Sequence, residues 1–250
     1  MRLEGKTALG TGAAQGLGAA LAERLLAGGS RICGYDLAAP ARDAFAARGG
    51  NALAGAHAVF STCRFVFLSL PSHHETATLL ADVREILRPG TVVIDTTTGD
   101  PAAAEEVAAT LALRGVSYLD ATISGSSNHV RRGEAVMMVG GDVAAFGEVR
   151  DLLGRIAAEV FHTGPAGSGS RMKLVTNVVL GLNRAALAEG IAFAERLGLD
   201  AAQALGAMRA GPAYSRMMDT KGEKMLQRDY APEARLSQHL KDVRLILAQA

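Results

Sequence analysis

Through the first part of the chain, short and almost wholly apolar runs alternate with segments whose apolar residues return every three or four positions. The runs are TALG (7–10), RICGYDL (31–37), RFVFLSLP (64–71), TVVID (91–95) and the stretches opening at Tyr118 and Ala135. Continuous apolar runs closed by glycine or proline mark strands buried on both faces. The recurrence between them, as at Leu21, Leu25 and Leu26, is that of helices. The alternation predicts an α/β fold, a doubly wound parallel (Rossmann-type) sheet over residues 1–163. From Gly164 onward the strand-like runs stop, and helical segments at 172–198, 201–209, 216–227 and 236–249 predict a smaller all-α domain over 164–250.

With 250 residues, 49% hydrophobic and 20% charged, the chain has the make-up of a globular protein with one large core or two ordinary ones. A formal charge of +1 without a dense Lys/Arg run, and only 4% aromatics, leave little to track a phosphate backbone or stack bases, which argues against nucleic acid as a partner. The opening MRLEGKTALG has charges where a signal peptide needs an apolar core. No uncharged apolar stretch approaches the ~20 residues of a membrane span. The expectation is a cytoplasmic protein with no membrane partner. Cys33 and Cys63 lack ligand spacing and lie in or beside apolar runs, so they are expected as buried free thiols, with no metal site.

The turn between TALG and the first helix carries Gly10, Gly12, Gly16 and Gly18, with Gln15 and Leu17 among them. Glycines between a strand and a helix let backbone approach a pyrophosphate, and the helix N-terminus faces it. The second run ends in Asp36, an acidic residue about 20 positions on, suited to a ribose 2′-hydroxyl. Asp36 also repels a 2′-phosphate, and Leu37 follows it in place of an arginine. NAD is therefore favoured over NADP, with Arg42 the nearby residue that would suit the phosphorylated form. The spelling Thr11-Gly12-Ala13-Ala14-Gln15-Gly16-Leu17-Gly18 resembles the loop of short-chain dehydrogenases. Those enzymes need a Y-x-x-x-K pair. Tyr35, Tyr118, Tyr214 and Tyr230 are followed four positions on by Ala39, Thr122, Met218 and Ala234, so the pair is missing.

A second glycine-rich turn, GSGSRMKLVTN (167–177), runs into the long apolar helical segment. Lys173 and Asn177 stand four apart and so share one helix face. The bland reading of Lys173 is a first-turn lysine that snorkels into water.

The spacing G-x-G-x-x-x-K-x-x-x-N, followed by a helix ending in ERLGLD, resembles the signature of the β-hydroxyacid dehydrogenases, the family containing 3-hydroxyisobutyrate dehydrogenase and tartronate semialdehyde reductase. The resemblance implies Lys173 as catalytic acid/base and Asn177 holding the substrate beside it. The stretch DATISGSSN (120–128) resembles the family's substrate loop, which implies that Ser124 and the amides of Gly125 and Ser126 hold the substrate carboxylate. Thr122 stands there for the usual proline and Ser126 for the usual glycine. The family's cofactor edge implies Leu70, Pro71 and Ser72 on the nicotinamide side and Thr98 by its ribose, beside Gly12, Gln15, Gly16, Leu17, Gly18 and Asp36. HLKDVRLILAQA (239–250) resembles the family's late helix and adds Lys241 and Asp242 at substrate or cofactor, against a surface ion pair as the plain alternative. Thr97 and Asp100 are expected as helix caps, His73 and His74 as solvated cap residues, His129 as an exposed loop residue, and Met137 and Met138 as core.

What the resemblance implies is hydride transfer between NAD and a small β-hydroxy acid or its semialdehyde. Family members usually run on for several helical turns, whereas this chain stops at Ala250. A homodimer or homotetramer is therefore expected to supply the cover. Two other readings stand beside it: a short-chain-type dehydrogenase and a non-catalytic dinucleotide-binding regulator.

Asp36 yields the first prediction. NAD should bind more tightly than NADP by at least the roughly 1.4 kcal/mol that corresponds to tenfold, and Asp36→Ala should narrow the gap by weakening NAD. Competition binding giving equal or tighter NADP affinity in the wild type would refute it.

Overall fold

The computed structural model describes residues 16–231 and 236–250. The TALG run, Gly12 and Gln15 lie outside the described residues. The chain divides into two compact units, Met1–Lys173 and Leu174–Ala250.

The first unit follows the alternation: α1 (Gly16–Ala27), β1 (Cys33–Gly34), α2 (Ala39–Ala47), β2 (Asn51–Ala52), α3 (Ala56–Thr62), β3 (Phe65–Leu68), α4 (His73–Asp82), β4 (Val92–Asp95), α5 (Pro101–Ala112), β5 (Ser117–Ser124), α6 (Ser127–Arg132), β6 (Ala135–Gly140), α7 (Val143–Leu153) and β7 (Ala157–Gly164). Among the described residues, β1 and β2 form a parallel pair, and β3 to β7 form a five-stranded sheet in chain order. Every residue of β3 and β4 is buried, because helices cover both faces. Side chains alternate across the sheet. Phe65 and Phe67 join Leu21, Leu25, Val149 and Leu153 on one face, while Val66 and Leu68 join Phe60, Leu80 and Leu111 on the other.

The sheet departs from the all-parallel expectation at one seam, where β5 and β6 pair antiparallel. Their link holds only the short α6. A parallel crossover takes roughly a dozen or more residues, so the chain turns back instead. Met137 and Met138 on β6 are core, as are the free thiols Cys33 and Cys63.

The long helix α8 (Ser168–Arg196) begins earlier than residue 172, in a glycine and serine stretch of poor intrinsic propensity. The second unit continues with α9 (Ala201–Ala210), α10 (Arg216–Leu226) and α11 (Leu236–Gln249). Its core gathers Leu187, Ile191, Leu205 and Met218. The Asp200 side chain caps α9 by accepting from the amides of Ala202 and Gln203. No helix among the described residues is long and apolar enough to cross a membrane.

A buried carboxylate closes β4. Asp95 accepts from Tyr118 Oη at 2.8 Å and Thr76 Oγ1 at 3.0 Å through one oxygen, and from the Thr97 amide at 2.9 Å through the other. Burial pushes its pKa up, with the hydrogen bonds from Thr97, Tyr118 and Thr76 pulling the other way. Burial and the neighbouring Asp95 push the Tyr118 phenol well up.

The raised carboxyl pKa fixes a sign. A proton held more tightly in the folded chain stabilises it fully below the unfolded-state pKa, and that contribution is lost as pH rises through the raised value. Asp95→Asn has no such proton to lose, and the Thr76 and Tyr118 hydroxyls can rotate to accept from its amide. It should therefore gain stability relative to the wild type as pH rises from acid to neutral in urea titrations. Asp95→Ala orphans three donors and should cost ~3 kcal/mol or more. Parallel pH curves for wild type and Asp95→Asn would contradict this account.

Candidate active site

Candidate cofactor residues collect at the carboxyl ends of parallel strands. Past β3, the Leu70 amide donates to Thr97 Oγ1 at 3.0 Å, which ties the loop after β3 to the loop after β4. Thr97 was expected as a helix cap but is a buried bridge between strand ends, because its Oγ1 is taken by the Leu70 amide while Asp100 caps the helix. Asp100 does cap α5, accepting from the Ala102 amide at 3.1 Å. Thr98 between them is half-buried, and Pro71 is exposed. Ser72 caps α4 through the His74 amide. His74 is exposed, whereas His73 is half-buried against Gly99. Past β1, Asp36 is buried and its Oδ1 accepts from the Ala38 amide at 3.0 Å. Arg42 Nη1 donates to the carbonyls of Asp36 and Leu37, at 2.7 and 3.0 Å.

Lys173 does not snorkel. It lies past the first turn of α8, is 9% exposed, and its Nζ donates to the Ile123 carbonyl at 2.7 Å. A buried ammonium needs such an acceptor. The contact sets Nζ beside the end of β5, one residue before Ser124, which is half-buried.

The loop after Ser124 differs in part from the expected carboxylate cradle. Gly125 is exposed. The Ser126 amide donates to His129 Nδ1 at 3.2 Å, with the Ser126 hydroxyl 2.8 Å from the same nitrogen. Ser126 is the N-cap of α6 and His129 reaches back to it from the third helical position, so the Ser126 amide is occupied by an intramolecular acceptor. His129 is thus half-buried in a helix, not an exposed loop residue.

In the second unit Asn177 is buried, and its Nδ2 donates to Asp242 Oδ2 at 2.9 Å. Lys241 Nζ lies 3.9 Å from Asp242 Oδ1, and the Asp242 side chain is 13% exposed, so the pair is not a solvated surface bridge. Sequence reasoning missed Thr97, His129 and the Ile123 carbonyl. The first two could be found only from their partners, and a backbone acceptor has no side-chain signature at all.

Comparison with known proteins decides the family. Residues 8–164 match the model described as the NAD binding domain of 6-phosphogluconate dehydrogenase. Residues 167–250 match the one described as NAD-binding of NADP-dependent 3-hydroxyisobutyrate dehydrogenase. The chain belongs to the β-hydroxyacid dehydrogenase family. It is similar to 2-(hydroxymethyl)glutarate dehydrogenase of Eubacterium barkeri, 29% identical over 237 residues that cover 92% of this chain and 78% of the relative. It is also similar to 2-hydroxy-3-oxopropionate reductase of Escherichia coli K12, 27% identical over 84% of this chain and 73% of that one. The solved Mycobacterium tuberculosis 3-hydroxyisobutyrate dehydrogenase with L-serine superposes with a TM-score of 0.90 at 27% identity, covering 98% of this chain and 86% of the other.

Family membership sets aside the short-chain reading despite the spelling of the glycine loop. As a β-hydroxyacid dehydrogenase the chain is an NAD(P)-dependent oxidoreductase, and its residues fit a dinucleotide. Gly16 opens α1 at φ +53° with none of the described residues within 4 Å of where a Cβ would stand, Leu17 packs on the core and Gly18 is buried. Asp36 offers a carboxylate suited to ribose hydroxyls, and Leu70 an apolar strand end suited to the nicotinamide. Among the described residues no cluster of three or more metal-ligating side chains occurs.

Proposed function

We propose that this β-hydroxyacid dehydrogenase interconverts a small β-hydroxy acid and its semialdehyde, with Lys173 as the proton-carrying group. The observation that carries the reading is a buried lysine amine hydrogen-bonded to the Ile123 carbonyl one residue before Ser124. When bound, the nicotinamide supplies the hydride chemistry at the carbinol carbon. As an amine, Lys173 takes the proton of the substrate hydroxyl, and as an ammonium it returns one to the carbonyl oxygen. Asn177, one turn on along α8 and oriented by Asp242, holds that oxygen. Ser124 and the Gly125 amide take the carboxylate, with Ser126 turned toward His129. Lys241 adds positive charge for an acidic substrate or for the cofactor. The relatives named for hydroxymethylglutarate and hydroxyoxopropionate support a short carboxylic acid as substrate. The two buried free thiols suit a reducing, cytoplasmic setting.

We also propose a homodimer or homotetramer. Val175, Val179, Leu182 and Phe193 on α8 are each more than half exposed. The first three fall at spacings of three and four along the helix, and exposed apolar area costs ~25 cal/mol per Å².

A panel of short hydroxy acids followed at the NADH absorbance tests the activity, and three variants test the assignment. Lys173→Ala should cut turnover by ~10² to 10⁴ while NAD affinity stays within a few-fold. Lys173→Arg should not restore it, since a guanidinium keeps its proton. Asn177→Ala should raise KM as well as lower kcat. Retention of a tenth of wild-type turnover without Lys173 would remove it from the mechanism and pass the role to Lys241, whereas no turnover of any acid in the panel by the wild type would favour a regulator that binds cofactor. For the assembly, light scattering at micromolar concentration should give a multiple of 25.9 kDa, and the mass of one chain would exclude the oligomer.

A further inference from the structure

Strand β5 meets the opening of α8 through more than the lysine contact. Asp120 is 1% exposed; one of its carboxylate oxygens accepts from the Gly167 amide at 2.9 Å and the other from the Ser170 amide at 2.7 Å. Two residues along the same strand face, the fully buried Thr122 hydroxyl donates to the Gly169 carbonyl at 2.9 Å, with the Met138 carbonyl at 3.3 Å. The backbones touch here. A Cβ on Gly169 would overlap the Asp120 carbonyl, and one on Gly140 would overlap the Asp120 carboxylate. Next along the strand, the Ile123 carbonyl takes Lys173 Nζ.

We infer that Asp120 and Thr122 are positioning residues that set the register of the α8 opening and so fix where the Lys173 amine stands. Lys173 lies three residues beyond Ser170, within one helical turn of the anchored amide. A shift of the helix start is passed almost rigidly to the lysine stem, and misplacement by about 1 Å of a reacting group can cost ~10²-fold in rate. Stability alone is a weak reason for the arrangement. Burial pushes the Asp120 carboxyl up against the pull of the Ser170 and Gly167 amides, and a buried charge is a poor net stabiliser. Thr122 ties strand to helix by a side-chain donor and a backbone acceptor, so the bond can be removed without changing the shape of either.

The inference rests on the proposed proton role of Lys173, and its test separates the two. Asp120→Asn keeps the shape but turns a donor toward one of the two amides. Thr122→Val keeps the shape and removes the hydroxyl, and Thr122→Ser returns it. In the cofactor-free protein, an amine-reactive reagent with peptide mass spectrometry should label Lys173 about fivefold faster or more in Asp120→Asn and Thr122→Val, because the clamped opening frees more often. Labelling of Lys221 and Lys224 should stay constant, and Thr122→Ser should restore the wild-type rate. In the same variants kcat should fall by roughly tenfold to a hundredfold with KM for NAD within about twofold. Faster labelling with intact turnover would uphold the clamp and remove Lys173 from the chemistry. Unchanged Lys173 labelling in both variants overturns the inference, and Thr122→Val decides it alone if Asp120→Asn fails to fold.

Discussion

A lysine ammonium taken out of water must be met by an acceptor, and for Lys173 that acceptor is the carbonyl of Ile123. The strand carrying this carbonyl must therefore run directly past the opening of α8. Much of the local sequence follows from that demand: glycines where backbone meets backbone, a threonine whose hydroxyl bonds across to the helix, and an aspartate at its start. The first turn of α8 is accordingly bonded to the sheet through the Gly169 carbonyl and the Ser170 amide.

A second constraint acts at the neighbouring strand ends. Asp95 draws in Tyr118 from β5, Thr76 from α4 and the Thr97 amide, and Thr97 in turn holds the Leu70 amide. A buried polar network in which every member is bonded fixes these two loops against each other. The two aspartates do parallel work: Asp95 joins strand ends to each other, and Asp120 joins a strand to a helix.

The fold class was legible because β3 and β4 are uninterrupted apolar runs and the helices between strands carry a 3.6-residue period. Lys173 and Asn177 were singled out by a spacing of four, which puts both on one helix face, and by the resemblance of their motif to the family's; the structure buries both side chains. The antiparallel β6 was not, since apolar alternation is blind to strand direction. Nor was the start of α8 at Ser168: local propensity is poor there, and the anchoring acceptor lies 47 and 50 positions away in sequence. Ser126 was read from its motif alone, and only the partner His129 reveals that its amide is already bonded.

The most direct test of the central claim is chemical rescue of Lys173→Ala by small primary amines during oxidation of the preferred hydroxy acid. If the lysine carries the proton, added amines restore turnover, and the restored rate rises with amine basicity as expected for a general base. Equal restoration by amines of any basicity, or by quaternary ammonium ions of similar size, would mean that the site needs only charge or bulk at that position and would contradict the account.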